Sequence, residues 1–410
     1  MPTYNRPETT TVRSAGAPQS AHPLRVVHAQ FRDWLFESAL PFWATTGCDG
    51  TGQTPALFGA QECLTVTGVS AHAAFKRVRV QARQLFVFSW AALRGWPPGR
   101  SCADGIYAFL LKAHEGSGRW ARSLTPDGKM LDTTADLYDL AFVVFALAWY
   151  GRLDASGQAV CLARETVQWV QANMAATGGG FYNTLPQQAE PRQQNPHMHL
   201  LEAVLALYDT TQDQADLTLA HDLYQLFSTQ FQDAQTGTLG EFFTQNWQPS
   251  EGDQGNWLEP GHHFEWVWLL NDYTRLSSVD TSAQANRLYD FALRYGVNQQ
   301  TALVYDAVGR DGSLLKASSR LWVQGEAVRG VLTQNPRDTD GLAARMATNL
   351  LTRYFTGCPA GTWLDQLDEA GKPKVDKIPT SSLYHITTAY DVLDKAVNSL
   401  PHEDLLEPTT

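Results

Sequence analysis

Cysteine is scarce in this sequence of 410 residues, and the few cysteines do not cluster. Cys48, Cys63, Cys102, Cys161 and Cys358 are widely spaced, odd in number and form no CxxC pair. This distribution predicts neither a disulfide framework nor a zinc knuckle. The chain is long enough to be stabilised by an ordinary, sizeable hydrophobic core.

Long apolar segments are also missing. The longest apolar run, near LAFVVFALAWY, is too short to span a bilayer. The first residues, MPTYNRPETTTVRSAGAPQSAHP, contain no apolar segment of the kind found in a secretory signal. We therefore expect a soluble cytoplasmic protein, with a disordered N-terminal tail at residues 1–24, one catalytic domain at residues 25–400 and a C-terminal tail at residues 401–410.

Positive charge is in deficit, with 31 Lys and Arg against 42 Asp and Glu and a net charge of −11. Nucleic acids and anionic membranes select basic surfaces, so neither is expected as a partner. The phosphate-binding signatures GxxxxGK[ST] and GxGxxG after a strand are absent, and so is the zinc motif HExxH. Aromatic residues, in contrast, are plentiful, with 13 Trp and 14 Tyr. They suit a sugar-binding cleft and a large helical core equally well.

Helical patterns of two classes alternate along the chain. Segments such as VVHAQFRDWLFESAL and ANRLYDFALRYG are amphipathic, whereas ADLYDLAFVVFALAWY and PHMHLLEAVLALYD are apolar nearly all round. An amphipathic helix suits the outside of a domain, and a helix apolar on every side must be buried. The alternation predicts twelve helices, six outer and six inner, in one all-α domain.

The connections between these helices repeat as well. An aromatic residue, a short extended piece and a glycine turn recur in FWATTGCDGTG, RWARSLTPDGK, LVYDAVGRDGS and TWLDQLDEAGK. Asp-Gly between short extended runs is typical of a β-hairpin. Each repeat is therefore predicted to be an outer helix, a hairpin-like loop and an inner helix.

One polar residue lies near the start of each inner helix, at steps of 55 to 64 residues: Arg83, Tyr138, His199, His262, Glu326 and His385. Six helical hairpins, each buried against its neighbours, would close into a ring. The predicted fold is therefore an (α/α)6 barrel with short hairpin loops at one rim. Parallel inner helices would bring these six residues to the mouth of one central cavity.

Two inner helices carry a histidine and a glutamate three residues apart, His199 with Glu202 and His262 with Glu265. Residues at this spacing share a helix face. Several histidines, an arginine and carboxylates on one rim favour a functional site, because buried ionisable groups are costly without a partner or a purpose. Asn195, Trp322 and Gln324 lie in the same segments. His197 and His263 point elsewhere and are expected to be structural, and Arg345 and Arg353 are expected on a solvated face.

A metal site is the first alternative, since His197, His199, Glu202, His262 and Glu265 are acceptable ligand types. The sequence contains no recognisable metal-ligand spacing, however, so no metal or other cofactor is expected. A phosphorylated sugar as obligatory substrate is not favoured either, because the cleft would hold one conspicuous arginine, Arg83.

The segments NPHMHLLEA, EPGHHFEW, RLWVQGE and SSLYHI, in this order and spacing, resemble the N-acylglucosamine 2-epimerase superfamily. The resemblance runs from about residue 27 to residue 398. It is strongest with the aldose–ketose isomerase branch, the D-mannose and sulfoquinovose isomerases, because EPGHxFEW is typical of that branch. It implies an (α/α)6 barrel and metal-independent proton transfer through two histidines.

Carried over by the resemblance, His262 and His385 match the paired acid/base histidines. Positions that contact substrate or orient a neighbour are matched by Arg83, Tyr138, Asn195, His199, Glu265 and Trp322. Glu202 and Glu326 also occupy motif positions. We expect His385 to move the proton between C2 and C1, His262 to open the sugar ring, Glu265 to fix a histidine tautomer and Arg83 to stabilise enediolate charge.

The expected function is thus interconversion of an aldose and a ketose, of the D-mannose to D-fructose type, by a monomer or homodimer acting on a monosaccharide. Three alternatives stay open. A 2-epimerase would use the same residues. An inverting glycoside hydrolase on a similar barrel would need two opposed carboxylates. A non-catalytic binding protein would not need the two histidines. The sequence does not indicate the C6 substituent of the sugar.

Overall fold

The computed structural model describes residues 22–49, 59–187, 191–233 and 235–401. Most of the predicted N-terminal tail and residues 402–410 lie outside these ranges. The first helix begins at Pro23, inside the stretch assigned to the tail. Within the described ranges, no helix combines the length and apolar character needed to cross a membrane.

Fourteen α-helices follow one another in the described residues. They are α1 Pro23–Asp33, α2 Leu40–Thr45, α3 Val78–Leu93, α4 Gly99–Leu110, α5 Leu137–Gly151, α6 Gln158–Asn173, α7 Gln194–Thr211, α8 Gln214–Leu226, α9 Gly252–Asn256, α10 Pro260–Ser277, α11 Ser282–Phe291, α12 Leu321–Gln334, α13 Leu342–Asn349 and α14 Leu383–Ser399. A π-helical segment, Trp34–Ala39, joins α1 and α2 into one outer helix, and α9 is a short helix in a loop. When α1 and α2 are counted as one outer helix and α9 is left out, the described residues contain the twelve helices that the alternating pattern predicts.

The six inner helices close a ring. Helix α3 packs on α5, α5 on α7, α7 on α10, α10 on α12, α12 on α14, and α14 returns to α3. Each of α3, α5, α7, α10 and α12 also packs on the outer helix that follows it, and α14 packs on α1. The inner helices are buried on nearly every side, whereas the outer helices expose a polar face. The predicted (α/α)6 barrel is confirmed.

Short strands form a second ring at the N-terminal ends of the inner helices. They are β1 Cys63–Thr65, β2 Lys76–Arg77, β3 His114–Gly116, β4 Arg119–Trp120, β5 Ser123–Leu124, β6 Met130–Asp132, β7 Ala135–Asp136, β8 Thr184–Leu185, β9 Arg192–Gln193, β10 Phe242–Phe243, β11 Ala307–Val308, β12 Leu314–Lys316, β13 Ser319–Arg320, β14 Gln366–Leu367 and β15 Lys377–Pro379. The Asp-Gly turns at Gly128 and Gly312 join β5 to β6 and β11 to β12, and both glycines have positive φ, which only glycine adopts freely.

Antiparallel pairing links each loop to the loop of the next inner helix. The pairs are β2 with β5, β7 with β8, β9 with β10, β13 with β14, and β15 with β1. A single bridge between Leu258 and Val308 links the loops before α10 and α12. The strand that precedes an inner helix is therefore hydrogen-bonded to a neighbouring loop, and this belt fixes the first turn of every inner helix around the mouth.

Aromatic packing joins the two ends of the chain. Trp34 stacks on Phe355 with centroids 3.7 Å apart, and Trp43 stacks on Trp363 at 4.8 Å. The indole Nε1 of Trp43 donates to the carbonyl of Gly361 at 3.0 Å. Five tryptophans, including Trp43 and Trp363, are fully buried. Much of the aromatic content therefore builds the core and does not line a sugar cleft.

Candidate active site

A cavity of about 350 Å³ opens at the N-terminal ends of the inner helices. Every inner helix contributes to its wall. Eight of the ten residues predicted for the site line it: Arg83, Tyr138, Asn195, His199, His262, Glu265, Trp322 and His385. The other two, Glu202 and Glu326, lie behind the lining histidines and are buried. Helix packing thus gathers the whole predicted set around one space.

His262, in the first turn of α10, is held by a carboxylate from another loop. Its Nδ1 lies 3.0 Å from both carboxylate oxygens of Glu241, which immediately precedes β10. Glu259 is a second carboxylate near the same nitrogen, at 3.8 Å. Burial works to lower the pKa of His262, but the negative charges of Glu241 and Glu259 raise it to about 9. The imidazole is therefore a cation at neutral pH and can donate a proton.

His385, at the start of α14, has the opposite character. Its Nδ1 lies 2.6 Å from Oε1 of Glu326, which also accepts a hydrogen bond from Arg329 at 2.6 Å. Burial, together with the positive charge of Arg83, lowers the pKa of His385 well below its ordinary value. The neutral ring donates from Nδ1 to Glu326, which leaves Nε2 with a free lone pair. His385 can therefore accept a proton at neutral pH.

Trp322, at the start of α12, contacts both imidazoles. Its ring centroid lies 5.0 Å from that of His262 and 5.6 Å from that of His385. The indole of Trp322 thus lies close to both imidazoles, and all three side chains line the same cavity.

His199, Tyr138 and Arg83 form the opposite part of the wall. His199 Nδ1 bonds to Glu202 at 3.1 Å, and its ring packs edge-on against Tyr138 with centroids 5.1 Å apart. The Nη2 of Arg83 donates to the Tyr138 hydroxyl at 2.7 Å, and its buried Nε has no hydrogen-bond acceptor. Arg83 makes no ion pair with a carboxylate in the described part of the chain. Its charge is therefore available to a ligand.

A layer of carboxylates around one arginine forms the floor. Arg329 is 1 % exposed and lies 2.6 Å from Glu326, 3.6 Å from Glu202 and 4.0 Å from Glu265. Neither carboxylate oxygen of Glu265 makes a hydrogen bond to another residue of the described ranges. Burial and the neighbouring carboxylates of Glu326 and Glu202 raise the pKa of Glu265 well above its ordinary value. A neutral Glu265 carboxyl can donate a hydrogen bond into the cavity.

The carboxylates that fix the histidine tautomers differ from the one that the sequence predicts. Glu265 was expected in this role, but its Oε1 lies 3.8 Å from His199 Nε2, which is too far for a hydrogen bond. Glu241 and Glu326 orient His262 and His385, and Glu202 orients His199.

His197 and His263 lie one turn or less from the site histidines. Both nitrogens of each ring form hydrogen bonds with backbone groups. His197 Nδ1 donates to the carbonyl of Gln193, and its Nε2 accepts from the amide of Phe181, both at 2.9 Å. His263 bonds in the same way to the carbonyl of Glu259 and the amide of Leu239. Burial lowers the pKa of His263 to about 4 and that of His197 to about 3. Both rings are neutral structural groups, as expected.

Among the residues that the structure describes, two groups of side chains have the composition and spacing of metal ligands. They are His199, Glu202 and Glu265, and Glu265, Glu326 and His385, with ligand atoms within 4.8 Å of one another in each group. Arg329 already occupies the space between the three carboxylates, and its charge would repel a second cation. The donor set therefore fits a guanidinium better than a metal ion.

Sequence reasoning missed several residues of the wall. The most important is Glu241, which is supported by a chain in which Trp266 donates to Gln194 at 2.7 Å and Gln194 donates to Glu241 at 2.9 Å. Glu241 lies in a loop, so helical spacing could not reveal it. Arg329 could have been found, because it follows Glu326 by three residues on α12. Also unpredicted in the wall were Gln193, Phe242, Glu259, Arg320, Asp365, Pro379, Ser381 and Ser382.

Known proteins share this fold and sequence pattern. Residues 59–389 match the N-acylglucosamine 2-epimerase (GlcNAc 2-epimerase) family. A mannose-6-phosphate isomerase of Rhizobium meliloti is 31% identical over 375 residues, which is 88% of this chain and 95% of that protein. A D-mannose isomerase of Pseudomonas cannabina pv. alisalensis is 25% identical over 345 residues, covering 74% of this chain and 80% of its own length.

A solved structure, cellobiose 2-epimerase from Spirochaeta thermophila, superposes with a TM-score of 0.81 at 24% sequence identity, covering 93% of this chain and 99% of that chain. At this identity the likeness shows the fold. The family match, which spans most of the chain, and the sequence relatives carry the conclusion on activity. The chain belongs to the N-acylglucosamine 2-epimerase family and is a sugar isomerase or epimerase.

Proposed function

We propose that this protein interconverts an aldose and a ketose, of the D-mannose to D-fructose type, by metal-independent proton transfer. One observation carries the proposal: two histidines line the same cavity beside Trp322, and their surroundings raise the pKa of His262 and lower the pKa of His385. Environments that push the pKa values of two like groups apart assign one as acid and the other as base. The names of the two sequence relatives, both isomerases of mannose or its phosphate, support this reaction.

The reaction begins with ring opening. His262 donates its Nε2 proton to the ring oxygen as the bond between C1 and that oxygen breaks. The C1 hydroxyl releases its proton to solvent, which yields the open-chain aldehyde, and His262 regains a proton from solvent. The carboxylate of Glu241, bonded to Nδ1, keeps His262 protonated and fixes Nε2 toward the cavity.

Proton transfer between carbons follows. Nε2 of His385 removes the proton from C2, and the C1 carbonyl oxygen gains negative charge as the enediolate forms. Arg83 offers its guanidinium to this charge, and Glu265, whose raised pKa favours the protonated carboxyl, offers a hydrogen bond. The O2 hydroxyl proton moves to O1 while His385 returns its proton to C1, so O2 becomes the ketone oxygen and His385 ends in its neutral starting state. Tyr138, Asn195, His199 and Trp322 hold the hydroxyls and the sugar backbone.

An inverting glycoside hydrolase would need a free carboxylate base opposite a carboxylic acid. Of the acidic residues lining the cavity, Glu241 is bonded to His262, Glu259 to Arg320 and Asp365 to Ser382. Glu265 is the remaining one, and burial with the neighbouring carboxylates raises its pKa, which favours the protonated form that cannot activate water. This arrangement supports the isomerase over the hydrolase.

The test is proton exchange in heavy water. Purified protein is incubated with D-mannose, with D-fructose and with their 6-phosphates, and carbon-bound deuterium and products are followed by NMR. The expected result is a ketose from the aldose with solvent-derived deuterium at C1 or C2, unaffected by a chelator. Glucose as the first product from mannose would identify a 2-epimerase instead. Absence of C–H labilisation in every substrate would overturn the proposal.

A further inference from the structure

A second cavity, of about 410 Å³, adjoins the catalytic cavity. Its wall contains four arginines, Arg77, Arg79, Arg83 and Arg122, and we name it the arginine annex. Arg83, Tyr138, Gln193, Asn195 and Ser381 line both cavities. The two spaces are therefore continuous, and one molecule can extend from the histidine pair into the annex.

The arginines come together through the strand belt. Arg77 ends β2, Arg79 and Arg83 lie in the first two turns of α3, and Arg122 immediately precedes β5, the strand that pairs with β2. Arg77, Arg79 and Arg83 are close together in the sequence, whereas Arg122 follows Arg83 by 39 positions, and the sequence pattern predicts Arg83 alone in the cleft. The structure adds three more cations beside it.

The face presented to the annex is positive. Among the residues lining it, the four arginines are accompanied by a single carboxylate, Asp136. The acids that pair with Arg77 and Arg79 are Glu62 and Asp139, which are buried behind them with 5 % and 2 % exposure. The guanidinium groups, in contrast, are accessible, with side-chain exposures of 35 % for Arg77, 20 % for Arg79 and 36 % for Arg122.

The carboxylates also hold the arginines in position. Arg79 donates to Asp139 at 2.8 Å, and Arg122 lies 3.3 Å from Asp136. Each guanidinium carries five N–H donors, so a pairing that uses one edge leaves others for a ligand. Arg79 and Arg83 lie 5.5 and 5.6 Å from the centre of the Tyr138 ring, which places them beside the entrance to the catalytic cavity.

We infer that the arginine annex binds a tetrahedral oxyanion carried by the substrate, so that the preferred substrates are anionic sugars such as hexose phosphate esters. Arginine is suited to this task because its planar fork matches the oxygens of a phosphate, and preoriented donors reduce the entropy lost on binding. The sugar carbons then lie between His262 and His385 and the anion lies in the annex. The inference rests on the proposed function for the sugar part of the substrate, and on the four arginines for the anionic group that the sugar carries.

The kinetic test compares matched substrates. The values of kcat/KM are measured for D-mannose, D-mannose 6-phosphate and a hexose 6-sulfonate with wild type and with Arg122→Gln, Arg122→Lys and Arg100→Gln. Arg100 is an exposed arginine paired with Asp104 outside both cavities, so its variant is the control. Wild type is expected to prefer an anionic sugar, and the two anions distinguish a phosphate site from a sulfonate site.

Loss of one charged hydrogen-bond donor is expected to lower kcat/KM for the preferred anion by roughly ten- to a hundredfold, corresponding to about 1.5–3 kcal/mol. The decrease for D-mannose should be at least tenfold smaller, and Arg122→Lys should recover part of the loss. Equal kcat/KM for neutral and anionic sugars in wild type, or an equal decrease for all sugars in Arg122→Gln, would overturn the inference.

A binding measurement keeps the inference testable without turnover. Inorganic phosphate is titrated into wild type and Arg122→Gln by calorimetry, with thermal melting to verify that both are folded. Tighter binding to wild type supports the annex even if no tested sugar reacts, in which case the proposed function fails alone. Equal or absent phosphate binding in both proteins contradicts the annex while leaving the isomerase proposal standing.

Discussion

The two mouths of the barrel differ in how they treat charge. At the N-terminal mouth, Arg83 has no carboxylate partner, Glu265 makes no hydrogen bond, and His262 and His385 use only Nδ1 for their bonds within the described residues. At the C-terminal mouth, a smaller cavity of about 110 Å³ has aromatic walls, including Trp90, Trp149 and Trp268. Every ionisable residue that lines this second mouth has an ion-pair partner.

The difference separates function from stability. A buried charge that is paired is satisfied within the fold, whereas one left without a partner is costly unless a ligand completes it. Arg152 and Arg275 share Asp209 at the C-terminal mouth, and Arg152 also lies over Trp149 at 4.3 Å. The charges that line this mouth are thus paired with one another within the described residues. We therefore expect chemistry at one end of the barrel and structural pairing at the other.

The largest effect is expected from the two histidines of the N-terminal mouth. His385→Asn or His262→Asn removes the base or the acid of the reaction, and each such group contributes roughly 10²–10⁴-fold to rate. The fold should persist because one side of each ring already faces an open cavity. The rate of ketose formation is measured on protein that circular dichroism shows to be folded. A variant retaining more than a tenth of wild-type activity would remove that histidine from the mechanism.

The control for this prediction lies next in the chain. His263→Asn removes a ring bonded to backbone on both sides, so it should lower the melting temperature and leave the activity per folded molecule close to wild type.

The same residue predicts a pH dependence of stability: the melting temperature of the wild type should decrease as pH is lowered. Since the pKa of His263 is about 4 when folded and near 6.5 when unfolded, the unfolded chain binds more protons below pH 6.5. The contribution of His263 to the free energy of unfolding is thus lost as pH falls from about 6.5 to 4. The melting temperature of His263→Asn should therefore decrease less than that of the wild type over this range.

The next largest effect is expected at the layer that separates the mouths. Arg329→Met leaves Glu202, Glu265 and Glu326 without their shared cation, and removing one partner of a buried ion pair costs about 3–5 kcal/mol. Urea unfolding measures the loss. Arg275→Met, at an exposed pair of the C-terminal mouth, should cost about 0–1 kcal/mol. Similar losses in the two variants would contradict the distinction between a buried layer and a solvated rim.

The contrast between helices and loops also explains what the sequence could predict. The ring and the position of His262 and His385 follow from helical periodicity, because the inner helices start at one rim and burial repeats along the chain. Glu241 and Arg122 escape prediction, since they reach the site through strand pairing between loops, which no spacing encodes. The role expected of Glu265 met the same limit. Its helix face was known, but the bonds of Glu241 to His262 and of Glu326 to His385 join different elements, which no spacing encodes.

A moderate effect is expected when His262, the proposed acid, loses the carboxylate of Glu241. The pKa of about 9 keeps His262 protonated at neutral pH, so wild-type kcat/KM should fall as pH rises through about 9. Glu241→Gln removes the closest negative charge while burial continues to lower the pKa, and the alkaline limb should move down by one pH unit or more, with one unit corresponding to about 1.36 kcal/mol. Glu259→Gln, with its carboxylate at 3.8 Å, should shift the limb less. An unchanged limb in Glu241→Gln would assign the proton donor to another group.

The smallest effect is expected at the C-terminal mouth. Lys395 pairs with Asp391 at 2.8 Å four residues away on α14, but its side chain is 67 % exposed. Such pairs contribute about 0.3–0.5 kcal/mol, so Lys395→Met should barely move the urea midpoint and should leave kcat/KM unchanged. The measurement is nevertheless decisive for the comparison. A change in kcat/KM would show that the C-terminal mouth communicates with the histidines through Glu202 and Arg329, the two side chains of the buried layer that line this cavity. The barrel would then have two functional ends, and the pairing of charge would not distinguish them.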